Sequence, residues 1–278
     1  MDLKRFIEES LSEDVRSGDI TSLACVPLTN KSVAHLKVKD DGVLAGVEFA
    51  RMVFDFVDPA IQFEHTISDG TPVKYGDIAF EVRGSSRDLL KAERLVLNAM
   101  QRMSGIASLS RKFAEAVSGL PVTILDTRKT TPLNRHLEKW AVRIGGCHNY
   151  RDGLYDWFMI KDNHIEACGS ITDAIKAVKA YQHQNGMEQI GITVEVRNLD
   201  ECEQVLSIGG VNRIMLDNFD TGLLKEAVSL IDHRFETEAS GGVNLQTVRP
   251  IALCGVDFIS VGALTHSAGS LDLSLKIQ

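Results

Sequence analysis

From Pro121 onward the chain alternates short apolar runs with amphipathic segments, and this alternation leaves few folds open. The runs lie at 122–126, 155–160, 192–196, 213–217, 235–239 and 257–261. Between them, Ile171, Ala174, Ile175 and Val178 make one stripe at helical spacing. Leu199, Cys202, Val205 and Leu206 make a second, and Leu223, Leu224, Ala227, Val228 and Ile231 a third; residues 132–144 form a fourth, less regular one. Strands buried on both faces read as continuous apolar runs, while the helices that cover them read as stripes. Repeated strand–helix units predict a parallel sheet closed, or nearly closed, into an α/β barrel. Six runs fall short of the eight strands of a complete barrel, so the expectation is an incomplete, open barrel or a strand that the pattern misses. A doubly wound open sheet is the alternative, but neither GxGxxG nor a Walker A loop is present to favour it.

The first ~100 residues follow another grammar and predict a small α+β domain. Leu3, Phe6, Ile7 and Leu11 predict a helix over 2–14, followed by a polar turn through Ser22. Residues 32–39 alternate as a half-buried strand does; 61–67 and 78–83 read as further strands, and 47–57 as a helix. Leu89, Ala92, Val96, Ala99, Met103 and Ile106 share one face of a long helix that Ser85 or Ser86 caps and Gly105 is placed to bend or break.

Composition excludes some functions. Lys+Arg number 30 against 38 Asp+Glu, a net charge of −8. A nucleic-acid binder normally carries a basic excess, so none is expected here, although a local basic pocket for a small anion is compatible with the total. No apolar run approaches the roughly 20 residues that span a bilayer, so no membrane association is expected. The amphipathic start, MDLKRFIEESLSEDV, lacks a signal-peptide core. The five cysteines are scattered without CxxC, which reads as free thiols in a cytoplasmic protein.

The chemistry gathers at the ends of the strand-like runs. The first ends in Arg128 and Lys129, the second in Lys161, Asp162, Asn163 and His164, and the third in Glu195 and Arg197. Then come Asp217-Asn218, Ser240-Gly241-Gly242 and Gly262-Ala263, while the loop between the first two runs carries His148, Tyr150 and Arg151. Barrels place their active sites at the C-terminal ends of their strands. Two Arg and two Lys suit a substrate with more than one carboxylate or phosphate. Small residues after the last two strands leave backbone N–H groups free for a phosphate. Glu195 and Asp217 end neighbouring strands, where they hold either a hard divalent cation or salt bridges to nearby lysines. A lysine such as Lys161 is also where Schiff-base aldolases keep their nucleophile. His164 reads as a structural hydrogen-bonder.

Longer motifs then carry a resemblance. Thr127–Pro132 (TRKTTP), residues 145–156 (GGCHNYRDGLYD) and Ile160–His164 (IKDNH) resemble quinolinate phosphoribosyltransferase, also called nicotinate-nucleotide pyrophosphorylase (carboxylating). So do Glu13-Asp14 with Gly18–Thr21, Glu93-Arg94 with Leu97-Asn98, Ser104–Ala107, Val194–Val196, Leu216–Phe219 and Glu238–Gly242 (EASGG). The likeness runs in order over nearly the whole chain.

What the resemblance implies is specific. The enzyme would be a pentosyltransferase of de novo NAD biosynthesis, converting quinolinate and phosphoribosyl pyrophosphate to nicotinate mononucleotide, pyrophosphate and carbon dioxide with Mg²⁺. Its fold would be an N-terminal α/β sandwich domain, residues 1–107 joined by the C-terminal tail 267–278, and an open α/β barrel over 108–266. It would work as a homodimer with a shared active site, the partner chain supplying Arg94; assembly beyond the dimer stays open. Arg128, Lys129, Arg151 and Lys161 would hold the quinolinate carboxylates and nearby phosphate oxygens. Glu195 and Asp217 would meet the ribose hydroxyls and Mg²⁺, with Lys129 and Lys161 sharing the catalytic work. Ser240, Gly241, Gly242, Gly262 and Ala263 would hold the 5′-phosphate. One position departs: Tyr150 stands where the family usually has a histidine thought to contact the substrate, so either Tyr150 is expected there as a hydrogen-bond donor or His148 swings in instead.

Overall fold

A computed structural model of the chain describes residues 2–278. In chain order the elements are α1 (Leu3–Val15), α2 (Ile20–Cys25), β1 (Lys31–Val38), β2 (Gly42–Val43), α3 (Val47–Val57), β3 (Gln62–His65), β4 (Pro72–Val73), β5 (Ile78–Ser85) and α4 (Ser86–Ala116). There follow β6 (Thr123–Leu125), α5 (Arg135–Ile144), β7 (Phe158–Ile160), α6 (Asp162–Cys168), α7 (Ile171–Asn185), β8 (Ile192–Val196) and α8 (Leu199–Ile208). The chain ends with β9 (Arg213–Asp217), α9 (Thr221–Ile231), β10 (Glu236–Ser240), α10 (Val248–Ala252), β11 (Phe258–Ser260), α11 (Ala263–His266) and β12 (Leu273–Ile277). No helix among the described residues is long and apolar enough to cross a membrane.

Two compact units emerge, one of residues up to Arg111 with Thr130–Gly146 and Ser267–Gln278, the other of Lys112–Lys129 with Cys147–His266. The first is built on a four-stranded sheet of order β12-β1-β5-β3, antiparallel at every pairing. The alternation read in residues 32–39 is the pleat of β1, whose Ala34, Leu36 and Val38 are buried. They pack with Phe80 and Val82 of β5 and with Phe49, Val53 and Phe54 of α3, all without exposed surface. Each buried phenylalanine contributes about 1.5–3 kcal/mol relative to exposure.

Local features differ from expectation at two places in this unit. The polar turn expected through Ser22 contains the short helix α2, because the Asp19 carboxylate accepts from the N–H groups of Thr21 and Ser22. Gly105 does not break its helix: α4 runs unbroken through it. A Cβ there would lie 1.9 Å from the Gly269 carbonyl oxygen, so the glycine serves close passage of the C-terminal tail instead. Helix α5 is tied in by the fully buried Glu138, which accepts from Arg102 Nε and Nη2 at 3.1 and 2.9 Å and from the Thr131 N–H and hydroxyl at 3.1 and 2.8 Å.

The second unit is an open α/β barrel. Its six strands pair in the order β6-β11-β10-β9-β8-β7, parallel at each step; each falls on one of the six runs read from sequence, although β7 takes only the last three residues of 155–160 and β10 lies one residue later than 235–239. The sheet does not close: β6 and β7 are its two edges. A short stretch beside β6 lies at the gap, with His148 N donating to Ile124 O and Asp126 N to His148 O, both at 2.9 Å. Every residue of β8 is buried, as a strand covered on both faces requires. The expected stripes bury Ile171, Ala174 and Ile175 of α7, Cys202 and Val205 of α8, and Leu224, Ala227 and Ile231 of α9. Ser170, Asn198 and Asp220 cap these helices through their side-chain oxygens.

Candidate active site

A cavity of about 750 Å³ sits at the C-terminal ends of the barrel strands. Arg128, Lys129, Tyr150, Arg151, Lys161, Glu195, Asp217, Ser240, Gly241, Gly242, Gly262 and Ala263 all line it. The parallel register places them there: strand-end residues of neighbouring strands come level, as Ser240 does with Asp217. Arg94 does not belong to this lining; it is exposed on α4 in the first unit.

The cavity is cationic on one side. Arg128 is half-buried, and its Nε is shielded from solvent without a hydrogen-bond partner among the described residues. Burial lowers the pKa of Arg151 from its ordinary value, and the neighbouring charge of Arg128 lowers it further. Two guanidiniums that repel each other, one with a free buried donor, form a site completed by an anion. Lys161 is ion-paired with Glu195 through its Nζ. His164 turns its Nδ1 to accept from the Lys161 N–H at 3.0 Å, the structural part expected of it.

Another part of the lining brings together a carboxylate, a hydroxyl and glycines. Asp217 accepts from the Ser240 hydroxyl and from the Asn218 side-chain amide, each at 2.7 Å. Gly241 has φ +91°, and a Cβ on it would lie 2.2 Å from Asn218 Oδ1, so only glycine fits. The buried Thr265 hydroxyl donates to the Lys129 carbonyl at 2.7 Å, holding the Lys129 backbone beside Gly262, whose carbonyl lies 3.2 Å from the same hydroxyl.

Tyr150 lies among buried polar groups. Its N–H donates to Asp126 Oδ1 at 2.8 Å, and its hydroxyl joins Thr193 Oγ1 at 2.6 Å. Burial raises its pKa above the ordinary phenol value, and the charge of Glu238 adds to this. Glu238, fully buried, receives the Ser260 hydroxyl and Arg213 Nη1. Burial also raises the Glu238 carboxyl's pKa, against the pull of Ser260 and Arg213. The Arg213 guanidinium stacks over the rings of Phe258, Tyr150 and Trp157 at 3.6, 5.0 and 5.8 Å from the centroids.

Sequence reading named as site residues none of Met159, Met215 and Ser260, which line the cavity, nor the buried Thr193, Arg213 and Glu238, the last quoted only within its EASGG motif. Each stands two or four positions before a strand-end residue already singled out. Side chains two apart share one face of a strand, so stepping back by two from Lys161, Glu195, Asp217, Ser240 and Gly262 finds them.

Comparison with known proteins gives matches over both domains. The family model for the N-terminal domain of quinolinate phosphoribosyl transferase matches residues 19–104, and that for the C-terminal domain matches 106–276. A Nicotiana tabacum protein named quinolinate phosphoribosyltransferase (decarboxylating) 2b, mitochondrial, is 47% identical over 100% of this chain and 82% of its own. A Bacillus subtilis protein named probable nicotinate-nucleotide pyrophosphorylase (carboxylating) is 38% identical over 100% of this chain and 94% of its own. The crystal structure of NadC from Streptococcus pyogenes superposes with a TM-score of 0.93 at 38% identity, covering 99% of this chain and 96% of that one. With both domains matched in order and the strand-end residues gathered in one cavity, the chain belongs to the quinolinate phosphoribosyltransferase family.

Proposed function

We propose that the chain transfers a phosphoribosyl group from phosphoribosyl pyrophosphate to quinolinate with decarboxylation, giving nicotinate mononucleotide in NAD biosynthesis. The observation that carries this reading is the paired Arg128 and Arg151 in one cavity, the first with a buried, unpartnered Nε. A dicarboxylate placed between them neutralises both charges and supplies the missing acceptor. Lys129 lies beside Gly262, and the backbone amides of Ser240, Gly241, Gly242, Gly262 and Ala263 are available to the 5′-phosphate, the Ser240 hydroxyl being already donated to Asp217.

Orientation does much of the catalytic work. Bidentate guanidinium contacts fix the pyridine ring with its nitrogen toward the ribose, which lowers the entropic part of the barrier. As pyrophosphate leaves, the sugar carbon becomes oxocarbenium-like; the carboxylates of Glu195 and Asp217 stabilise that charge, and Lys129 and Lys161 the departing oxygens. The ring nitrogen bonds to that carbon. The resulting pyridinium takes up the electron pair released when carbon dioxide leaves the adjacent ring position, and a solvent proton replaces it. No enzyme nucleophile is required. The Lys161 Nζ is engaged by the Glu195 carboxylate, which disfavours the Schiff-base alternative.

The donor set fits Mg²⁺: Glu195 and Asp217 end adjacent strands on one cavity and each brings a carboxylate to it. One or two carboxylates with water and substrate phosphates is the coordination this ion favours. When bound it supplies positive charge to the pyrophosphate oxygens.

The working unit in this reading is a homodimer in which Arg94 of each chain completes the partner's cavity. Arg94 is supported in that part by its exposure and by the motif Glu93-Arg94 with Leu97-Asn98. Free cysteines suit the cytoplasm, while the tobacco relative is named mitochondrial. Incubation with quinolinate, phosphoribosyl pyrophosphate and Mg²⁺ tests the reading, with nicotinate mononucleotide as the expected product. Turnover with nicotinate and none with quinolinate would move the chain to a non-decarboxylating phosphoribosyltransferase; no turnover with either would leave a scaffold without activity.

A further inference from the structure

We propose that Thr193, which lines no part of the cavity, is a positioning residue that sets the quinolinate-binding guanidinium of Arg151 from beneath. The inference rests on the quinolinate reading of the cavity. Thr193 lies on β8 two residues before Glu195 and has no exposed surface. Its single hydroxyl is joined to two aromatic side chains whose backbones flank or bond Arg151. The Tyr150 hydroxyl lies 2.6 Å from it, and Tyr150 is the residue before Arg151. The Trp157 indole N–H donates to it at 2.9 Å, and the Trp157 carbonyl in turn accepts from Arg151 Nη1 at 3.3 Å.

The neighbouring groups make this hydroxyl the shared point. Tyr150 and Trp157 meet edge to face at 6.1 Å, and the Arg213 guanidinium lies over both rings. Glu238 also engages the Tyr150 hydroxyl, but Thr193 is the group hydrogen-bonded to both rings, and so the one that sets them in register with each other. The Tyr150 hydroxyl faces inward to Thr193, so this chain's tyrosine acts on the substrate through the placement of Arg151 rather than as a direct donor.

The experiment is steady-state kinetics on the full-length enzyme with Thr193→Val, which keeps the shape and removes the hydroxyl, and Thr193→Ser, which keeps the hydroxyl. The expected result for Thr193→Val is a rise in KM for quinolinate on the order of tenfold, the scale of a small misplacement of a binding group. KM for phosphoribosyl pyrophosphate stays unmoved, and Thr193→Ser restores the quinolinate value. A merely structural role would lower the active fraction, and hence kcat, without moving KM. The same substitution on an Arg151→Lys background is expected to add nothing further, since the path ends at Arg151. An unchanged KM in Thr193→Val, a Thr193→Ser enzyme as impaired as the valine variant, or an equal effect on both backgrounds would overturn the proposal. Wild-type enzyme that makes no nicotinate mononucleotide would overturn the quinolinate reading and this inference with it; active wild type with an unaffected Thr193→Val overturns this inference alone.

Discussion

Replacing Arg128 with methionine is expected to move stability and affinity in opposite directions. The free enzyme keeps Arg128 Nε buried without a partner among the described residues, and an unsatisfied buried donor costs about 1–3 kcal/mol. Methionine retains much of the apolar stem and carries no donor. It also removes the charge that lowers the Arg151 pKa, so repulsion between the two guanidiniums disappears. The ligand-free variant is therefore expected to gain about 1 kcal/mol, roughly 2–4 °C in Tm for a chain of this size. Binding changes the other way. A hydrogen bond to a charged group contributes about 1.5–3 kcal/mol, so quinolinate affinity is expected to fall about 10- to 150-fold. Thermal unfolding with and without quinolinate reads the first quantity, and calorimetric titration the second. A variant that melts several degrees below wild type, or one that binds quinolinate as tightly, would refute the reasoning that this site stores an unmet donor for its substrate.

Other residues make separate predictions. Gly241→Ala forces a Cβ against Asn218 at a φ of +91°, costing about 1–2 kcal/mol for the backbone alone; KM for phosphoribosyl pyrophosphate is expected to rise while quinolinate binding by calorimetry holds. Burial pushes the thiols of Cys147 and Cys202 up to about 12 and about 11, whereas Cys25 and Cys168 are exposed. Alkylation of the native protein at pH 8 followed by mass spectrometry should label Cys25 and Cys168 and reach Cys147 and Cys202 only after unfolding; native labelling of Cys147 would contradict its burial. Mixing inactive Arg94→Ala and Arg128→Ala chains should recover part of the activity through hybrid dimers, and no recovery despite demonstrated subunit exchange would argue against a shared site.

The barrel was legible because its strands are short, buried on both faces and ended by residues of a different chemical type. Ile192–Val196 reads as one apolar run whose single charge, Glu195, stands out. The cavity lining followed from the same contrast, since parallel register brings such ends together. Thr193 and Arg213 escaped notice for the opposite reason: a polar residue inside an apolar run shows its facing only by its even spacing from a strand end, not by its own type. Gly105 read as a helix breaker because propensity is local, whereas the tail that needs its missing Cβ arrives from more than a hundred residues later. Helix α2 was hidden by its length, six residues being too few for a stripe.

In the proposed reaction one cavity joins a pyridine dicarboxylate to a phosphoribosyl group and expels a carboxylate in the same turnover. The most direct measurement uses quinolinate labelled with ¹³C at the carboxylate next to the ring nitrogen, incubated with phosphoribosyl pyrophosphate and Mg²⁺. The expected result is labelled carbon dioxide in equal amount to nicotinate mononucleotide, which itself carries no label. Label retained in a dicarboxylated nucleotide, or carbon dioxide released without nucleotide, would contradict it.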